Sequence, residues 1–169
     1  MPLTMDEFSA KFRDFAESAF RLESRQDYTT PAEQPKLERF LAGESEPIEP
    51  NSSWRSLISE KVGAGMRWDK VKVVRRPLTD YQRFALAWGV PANERAGELH
   101  RILDVTDRDV GLPEIDFWIF DDATVVVLHY YEDGTLDHLE EVPPADIGSY
   151  RRWRDIAMRE SVPLSEYRT

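Results

Sequence analysis

The chain has no cysteine among its 169 residues. That absence removes disulfides, thiolate metal sites and thiol nucleophiles together, and it fits a reducing interior. Long apolar runs are also missing, and none approaches the ~20 residues a spanning helix needs. Met1 to Glu7 shows neither a basic n-region nor an apolar h-region, so a soluble cytoplasmic protein without membrane contact is the expectation. Phosphate-cradling glycine loops are lacking, because Gly63-Ala64-Gly65 leads into a strand-like run rather than a helix. There is no Gly-x-Ser-x-Gly elbow, no His-Glu-x-x-His pair and no His-x-Lys-x4-Asp or Glu-x-Lys motif. Only His100, His129 and His138 offer imidazole bases. No catalytic residue, metal site or cofactor is expected from this pattern.

What is present is ample apolar surface. Hydrophobic residues make up 41% of the chain, with five Trp, six Tyr and eight Phe, enough to fold without staples. A single domain over residues 1–169 is expected, with a helical N-terminal part (1–66) and a sheet-containing part (67–169). Among so many rings, any Trp or Tyr left on the surface is an interface anchor.

The net charge of −10 is unevenly spread. Residues 113–146 hold ten acidic side chains and no Lys or Arg, while the rest of the chain holds 22 of each sign. Arg67 to Arg83 is the counterpart, with six basic and two acidic residues. Arg75, Arg76 and Arg83 in that stretch are candidates for a phosphate or an acidic partner; the plainer expectation is that they pair with the acidic segment of the same chain. Asp121, Asp122, Asp137, Glu140 and Glu141 are candidates for a cationic partner. Asp116, Asp121, Asp122, His129 and Glu132 could be assembled into a hard-metal site. Against it, Asp121-Asp122 is good turn sequence and alternation separates neighbouring strand residues onto opposite faces. His129, inside a strand, reads as a hydrogen-bonded core histidine.

Periodicity supplies the elements. Thr4 and Glu7 form a capping box for a first helix in which Phe8, Phe12, Phe15, Ala16, Ala19 and Phe20 share a stripe. Thr30-Pro31 with Glu33 starts a second helix, stopped by Gly43; residues 44–51 read as loop, and Ser53 opens a third helix. Trp68 to Val74 reads as a strand, and Thr79-Asp80 starts a helix broken by Gly89-Val90-Pro91. Residues 93–105 fit either helix or a turn followed by a strand. Ile115–Phe120, Thr124–Tyr131 and Thr135–Val142 form a meander, with Asp133-Gly134 as a hairpin turn and the third strand as a solvated edge. The middle strand is apolar on both faces and must be covered on both. Asp146 caps a last helix. The fold class is α+β, a mostly antiparallel sheet covered by helices on both faces.

Several blocks taken together carry a resemblance: Arg21-Leu22-Glu23, Val73 to Phe84 with its Pro-Leu-Thr-Asp-Tyr core, Ala96-Gly97-Glu98, Leu112 to Asp122 with Asp-Phe-Trp-Ile-Phe-Asp-Asp, and Tyr150 to Asp155. They resemble an uncharacterised actinobacterial domain-of-unknown-function family of stand-alone chains of about this size, and the likeness spans nearly the whole length. The resemblance implies genes that neighbour helix-turn-helix regulators, and so a regulatory protein partner by association. The order of elements from 68 to 157 is also similar to one half of a phospholipase-D-like fold, without its His-Lys-Asp motif.

The expected function is therefore a non-enzymatic regulatory or interaction protein acting through a protein partner such as a transcriptional regulator. The alternative is a hydrolase or nucleotide/phosphate-binding enzyme using Arg75, Arg76 and the carboxylates Asp116, Asp121 and Asp122. Direct nucleic-acid binding is disfavoured by the acidic balance.

Overall fold

The computed structural model describes residues 1–48 and 52–168. Eight strands form one sheet: β1 (Pro2–Leu3), β2 (Ser18–Glu23), β3 (Arg67–Val74), β4 (Leu99–Asp104), β5 (Asp116–Phe120), β6 (Thr124–Tyr130), β7 (Leu136–Glu141) and β8 (Val162–Pro163). Their order is β1-β7-β6-β5-β2-β3-β4-β8. The pairs β2–β3 and β3–β4 are parallel and the others antiparallel, so the sheet is mostly antiparallel, as expected. The helices are α1 (Met5–Asp14), α2 (Gln34–Leu41), α3 (Ser53–Gly63), α4 (Asp80–Phe84), α5 (Val90–Ala96) and α6 (Ile147–Glu160).

Both faces are covered. Phe20, Leu22, Val71, Val73, Leu103, Phe117, Ile119, Val125 and Val127 pack with Ile147 and Ala157 of α6. On the other face Phe8 and Phe12 of α1 and Ile58 of α3 pack on Trp68, Trp118, Phe120 and Val126. The central meander strand β6 thus contributes Val125 and Val127 to one core and Val126 to the other, as its two-sided apolar pattern requires.

Several expectations change. The first helix does not reach Phe20; it ends at Asp14, and residues 18–23 become the strand β2. The stop comes from far along the chain: the Asp121 carboxylate accepts hydrogen bonds from the backbone N–H groups of Ala16, Glu17 and Ser18 at 2.9, 2.7 and 3.0 Å. The second helix starts at Gln34 rather than beside Pro31, with no side-chain cap. The third helix begins at Ser53 as expected, capped by Ser52. Gly89-Val90-Pro91 does not break its helix, because α4 passes through a π-helical turn (Ala85–Gly89) directly into α5. The wider turn makes room for the Pro91 ring, which an α turn would press against the carbonyl four residues back. Residues 93–105 divide into the end of α5, a left-handed Gly97 and β4. The strand β7 is not the edge, since β1 pairs with its outer side through Pro2–Glu140 and Leu3–Leu139. Of the loop expected at 44–51, residues 44–48 are irregular and 49–51 lie outside the described residues. No helix of the described residues is long and apolar enough to cross a membrane.

Candidate functional site

Alternation along the three parallel strands turns one set of charged side chains toward α3 and the α4–α5 run. Register places Arg21, Lys70 and His100 in one row across β2, β3 and β4, and Glu23 beside Lys72 in the next. Phe20, Leu22, Val71 and Val73, the residues between them, face the α6 core. The result is an ionic floor inside the protein, with Arg21, Lys72 and His100 all buried.

The floor is a network of short contacts. Glu23 lies 3.1 Å from Lys70 Nζ and 2.5 Å from Lys72 Nζ. Burial alone would raise the Glu23 carboxyl, but the two lysines hold it well below the usual carboxylate range. Arg21 pairs with buried Asp116 at 2.9 Å, and Asp116 also accepts from the Tyr28 hydroxyl at 2.5 Å and from Ser24 N–H at 2.9 Å. Burial, followed by the Asp116 charge, pushes the Tyr28 hydroxyl well above its ordinary value. His100 Nδ1 stands 2.8 Å from Glu98 Oε1. Burial pushes the His100 imidazole down, with the Glu98 contact opposing it in part, so the ring is neutral at pH 7 with its proton on Nδ1. Its Nε2 is then an acceptor, and it has no hydrogen-bond partner; Glu98 Oε2 and Arg21 Nη1 are likewise unpartnered.

Above this floor is a cavity of about 330 Å³. Glu23, Lys70, Lys72 and His100 line its base, and Trp54, Tyr81, Phe84 and Trp88 supply aromatic walls. The walls are braced by each other and by α2: Phe40 packs edge-on against Trp88 at 5.4 Å, and the Tyr81 hydroxyl donates to Glu33 at 2.9 Å. Ala85, Trp88 and Gly89 reach the cavity from the π turn.

Apart from Asp116, the residues singled out from sequence lie outside this floor, and Arg75 and Arg76 do not meet Asp121 and Asp122. Arg75 and Arg76 follow the C-terminal end of β3, whereas Asp121 and Asp122 follow β5 at the end beside Ala19 and Trp68, the opposite end of the strands. Arg75 stands 3.8 Å from Glu114, Arg76 pairs with Asp104 at 3.3 Å and Arg83 pairs with Asp80. Of the basic stretch, Arg75 alone reaches the acidic segment; Lys70 and Lys72 are held by Glu23 and Arg67 by Asp69. Asp122 pairs with Arg154, and Glu141 pairs with Lys11 at 2.7 Å. Asp137 bonds His138 and Glu140 bonds His129, each at 3.0 Å. His129 is accordingly a half-buried surface histidine rather than a core one, and it bonds Glu140, while the Asp116 carboxylate pairs with Arg21 in the ionic floor.

Of the floor, only Asp116 stood among the sequence candidates. Two signals were available: the alternation Phe20-Arg21-Leu22-Glu23, and the same alternation in Lys70-Val71-Lys72-Val73. Both are what a solvent-facing strand shows, and period two does not tell water from a cavity. No curated protein matches this chain. The family profile of domain of unknown function DUF6879 matches residues 6–169, and the chain belongs to that family.

Proposed function

We propose that this protein is a ligand-binding regulatory protein, taking a small planar ring compound into the cavity over β2–β4 and passing the bound state to a protein partner. The observation that carries the reading is His100, which lines the base of an aromatic-walled cavity and whose Nε2 is buried with no hydrogen-bond partner. An orphaned buried polar atom costs about 1–3 kcal/mol, which a ligand N–H or O–H recovers. Water can satisfy a single nitrogen; the four rings around it are what favour an aromatic occupant. The ligand chemistry is therefore a flat heteroaromatic or phenolic ring with a donor at one edge.

Gly89 provides the test. It lines the cavity, and a Cβ built on it meets no heavy atom within 4 Å, so a long side chain enters open space. Saturation-transfer NMR with indole, phenol and adenine is expected to show binding to the chain and its loss in Gly89→Met, with the fold retained. Absence of transfer from all three compounds, or equal transfer in Gly89→Met, overturns the reading.

The Glu98–His100 pair favours one second reading, a hydrolase or nucleotide-binding enzyme, because a neutral imidazole oriented by a carboxylate is a general base. Ser52 is the cavity's aliphatic hydroxyl, and its Oγ already accepts from Arg55 N–H at 3.3 Å as the cap of α3. Phosphate release from ATP, or nitrophenol release from its ester, by the chain and not by His100→Gln would establish this reading over the first.

A further inference from the structure

On the meander, away from the cavity just described, three donors of a different kind converge. His129 of β6 and His138 of β7 are directly paired across the strands, and their rings stack at 4.2 Å with 9° between planes. Glu140 follows two positions after His138 on the same face, diagonal to His129, and its Oε2 lies 3.0 Å from His129 Nε2. One nitrogen from each histidine and one Glu140 oxygen lie within 4.8 Å of one another.

We propose that His129, His138 and Glu140 form a binding site for a first-row divalent transition ion of the zinc type. Two imidazoles and one carboxylate are the donor set such ions take. Two donors about 2.1 Å from an ion are ~3.0 Å apart at a right angle and ~3.4 Å apart at the tetrahedral angle. The observed 3.0 Å between His129 Nε2 and Glu140 Oε2 is in that range, so an ion replaces the proton now held between them. The two rings are nearly parallel, so ligation by both requires the exposed His138 ring to turn out of the stack toward the ion.

A second observation points the same way. His138 Nδ1 stands 3.0 Å from the Asp137 carboxylate, which places its proton on Nδ1 and leaves Nε2 as a lone pair for an ion. A carboxylate behind a ligating histidine is the usual outer support of such a site. Residues 113–146 contribute no Lys or Arg, and among the described residues no basic side chain pairs with Glu140 other than His129, although Arg25 lines the adjoining concavity. Both His129 and Glu140 line a concavity of about 570 Å³ roofed by Tyr150 and Trp153 of α6. An ion held by three protein donors there keeps an open position facing that space.

The test is calorimetric titration of the untagged full chain with Zn2+, with Mg2+ as the control. The expected result is one Zn2+ per chain, no Mg2+ uptake, and at least about a tenfold loss of affinity in His138→Ala, in Glu140→Gln and, through the outer support, in Asp137→Asn. His138, Glu140 and Asp137 are surface side chains, so circular dichroism is expected to show all three variants folded. With Co2+ in place of Zn2+, a visible absorption band lost in His138→Ala reports direct ligation. Zinc affinity weaker than about 1 mM, or unchanged in His138→Ala and Glu140→Gln, overturns the proposal.

Discussion

Glu23 neutralises two lysines on a sheet face that water does not reach freely. Replacing it with Gln leaves Lys70 and Lys72 facing each other in the protein interior, and breaking a buried ion pair in this way costs about 3–5 kcal/mol. The pH dependence has a definite sign. Because the folded carboxyl is held well below its unfolded value of about 4.3, its contribution is complete above that value and is lost as the pH falls through the folded one. Urea unfolding at a series of pH values is therefore expected to show Glu23→Gln strongly destabilised at pH 7, with the difference from the parent chain shrinking below about pH 4. A constant difference across that range would show that lost packing, not lost charge, sets the cost. None of this was legible from residues 18–23 alone. Ala19 and Phe20 continue the helical stripe of Phe8, Phe12 and Phe15, and the residue that ends the helix, Asp121, comes from the end of the neighbouring strand β5, far along the chain.

Elements with strong local chemistry were legible for the opposite reason. The meander is fixed by Asp133-Gly134 and by β-branched alternation, and the start of α4 by the Thr79–Gln82 capping box, all encoded within a few residues. Gly97 is the local signal behind the α5–β4 connection that sequence left open. Its φ of +119° suits glycine, and a Cβ there would lie 3.0 Å from Val62 Cγ1 of α3, so little room is left for a side chain. Gly97→Ala is expected to cost about 1–3 kcal/mol from the backbone term alone, read as a lower urea midpoint. The consequence reaches the site, because Glu98 and His100 come immediately after. Pushing α3 and β4 apart moves the Glu98–His100 pair relative to Lys70, so the His100 ring resonances in NMR are expected to shift in Gly97→Ala. Unchanged resonances would mean that the strain is absorbed in α3.

At the scale of the whole molecule, the acidity of residues 113–146 is a property of the assembled sheet. Its carboxylates are met by cations from other parts of the chain: Asp116 by Arg21, Glu141 by Lys11 and Asp122 by Arg154. The N-terminal part is not an appended helical unit, since β2 lies between β5 and β3 and joins the antiparallel strands to the parallel ones. A fragment of residues 67–169 therefore lacks the strand that bridges its two half-sheets, along with Arg21 and Lys11. It also loses Phe8, Phe12, Phe15, Phe20, Leu22 and Ile58, all buried. At about 1.5–3 kcal/mol for each fully buried large apolar side chain, that is roughly 9–18 kcal/mol. The loss is comparable to the whole ~5–15 kcal/mol by which domains are stable. The fragment is expected to give a collapsed amide NMR spectrum, and mixing it with residues 1–66 to restore dispersion as β2 re-enters the gap. A dispersed spectrum from 67–169 alone would show that β5 and β3 close on each other without β2, and that the ionic floor is an addition to the fold rather than part of its centre.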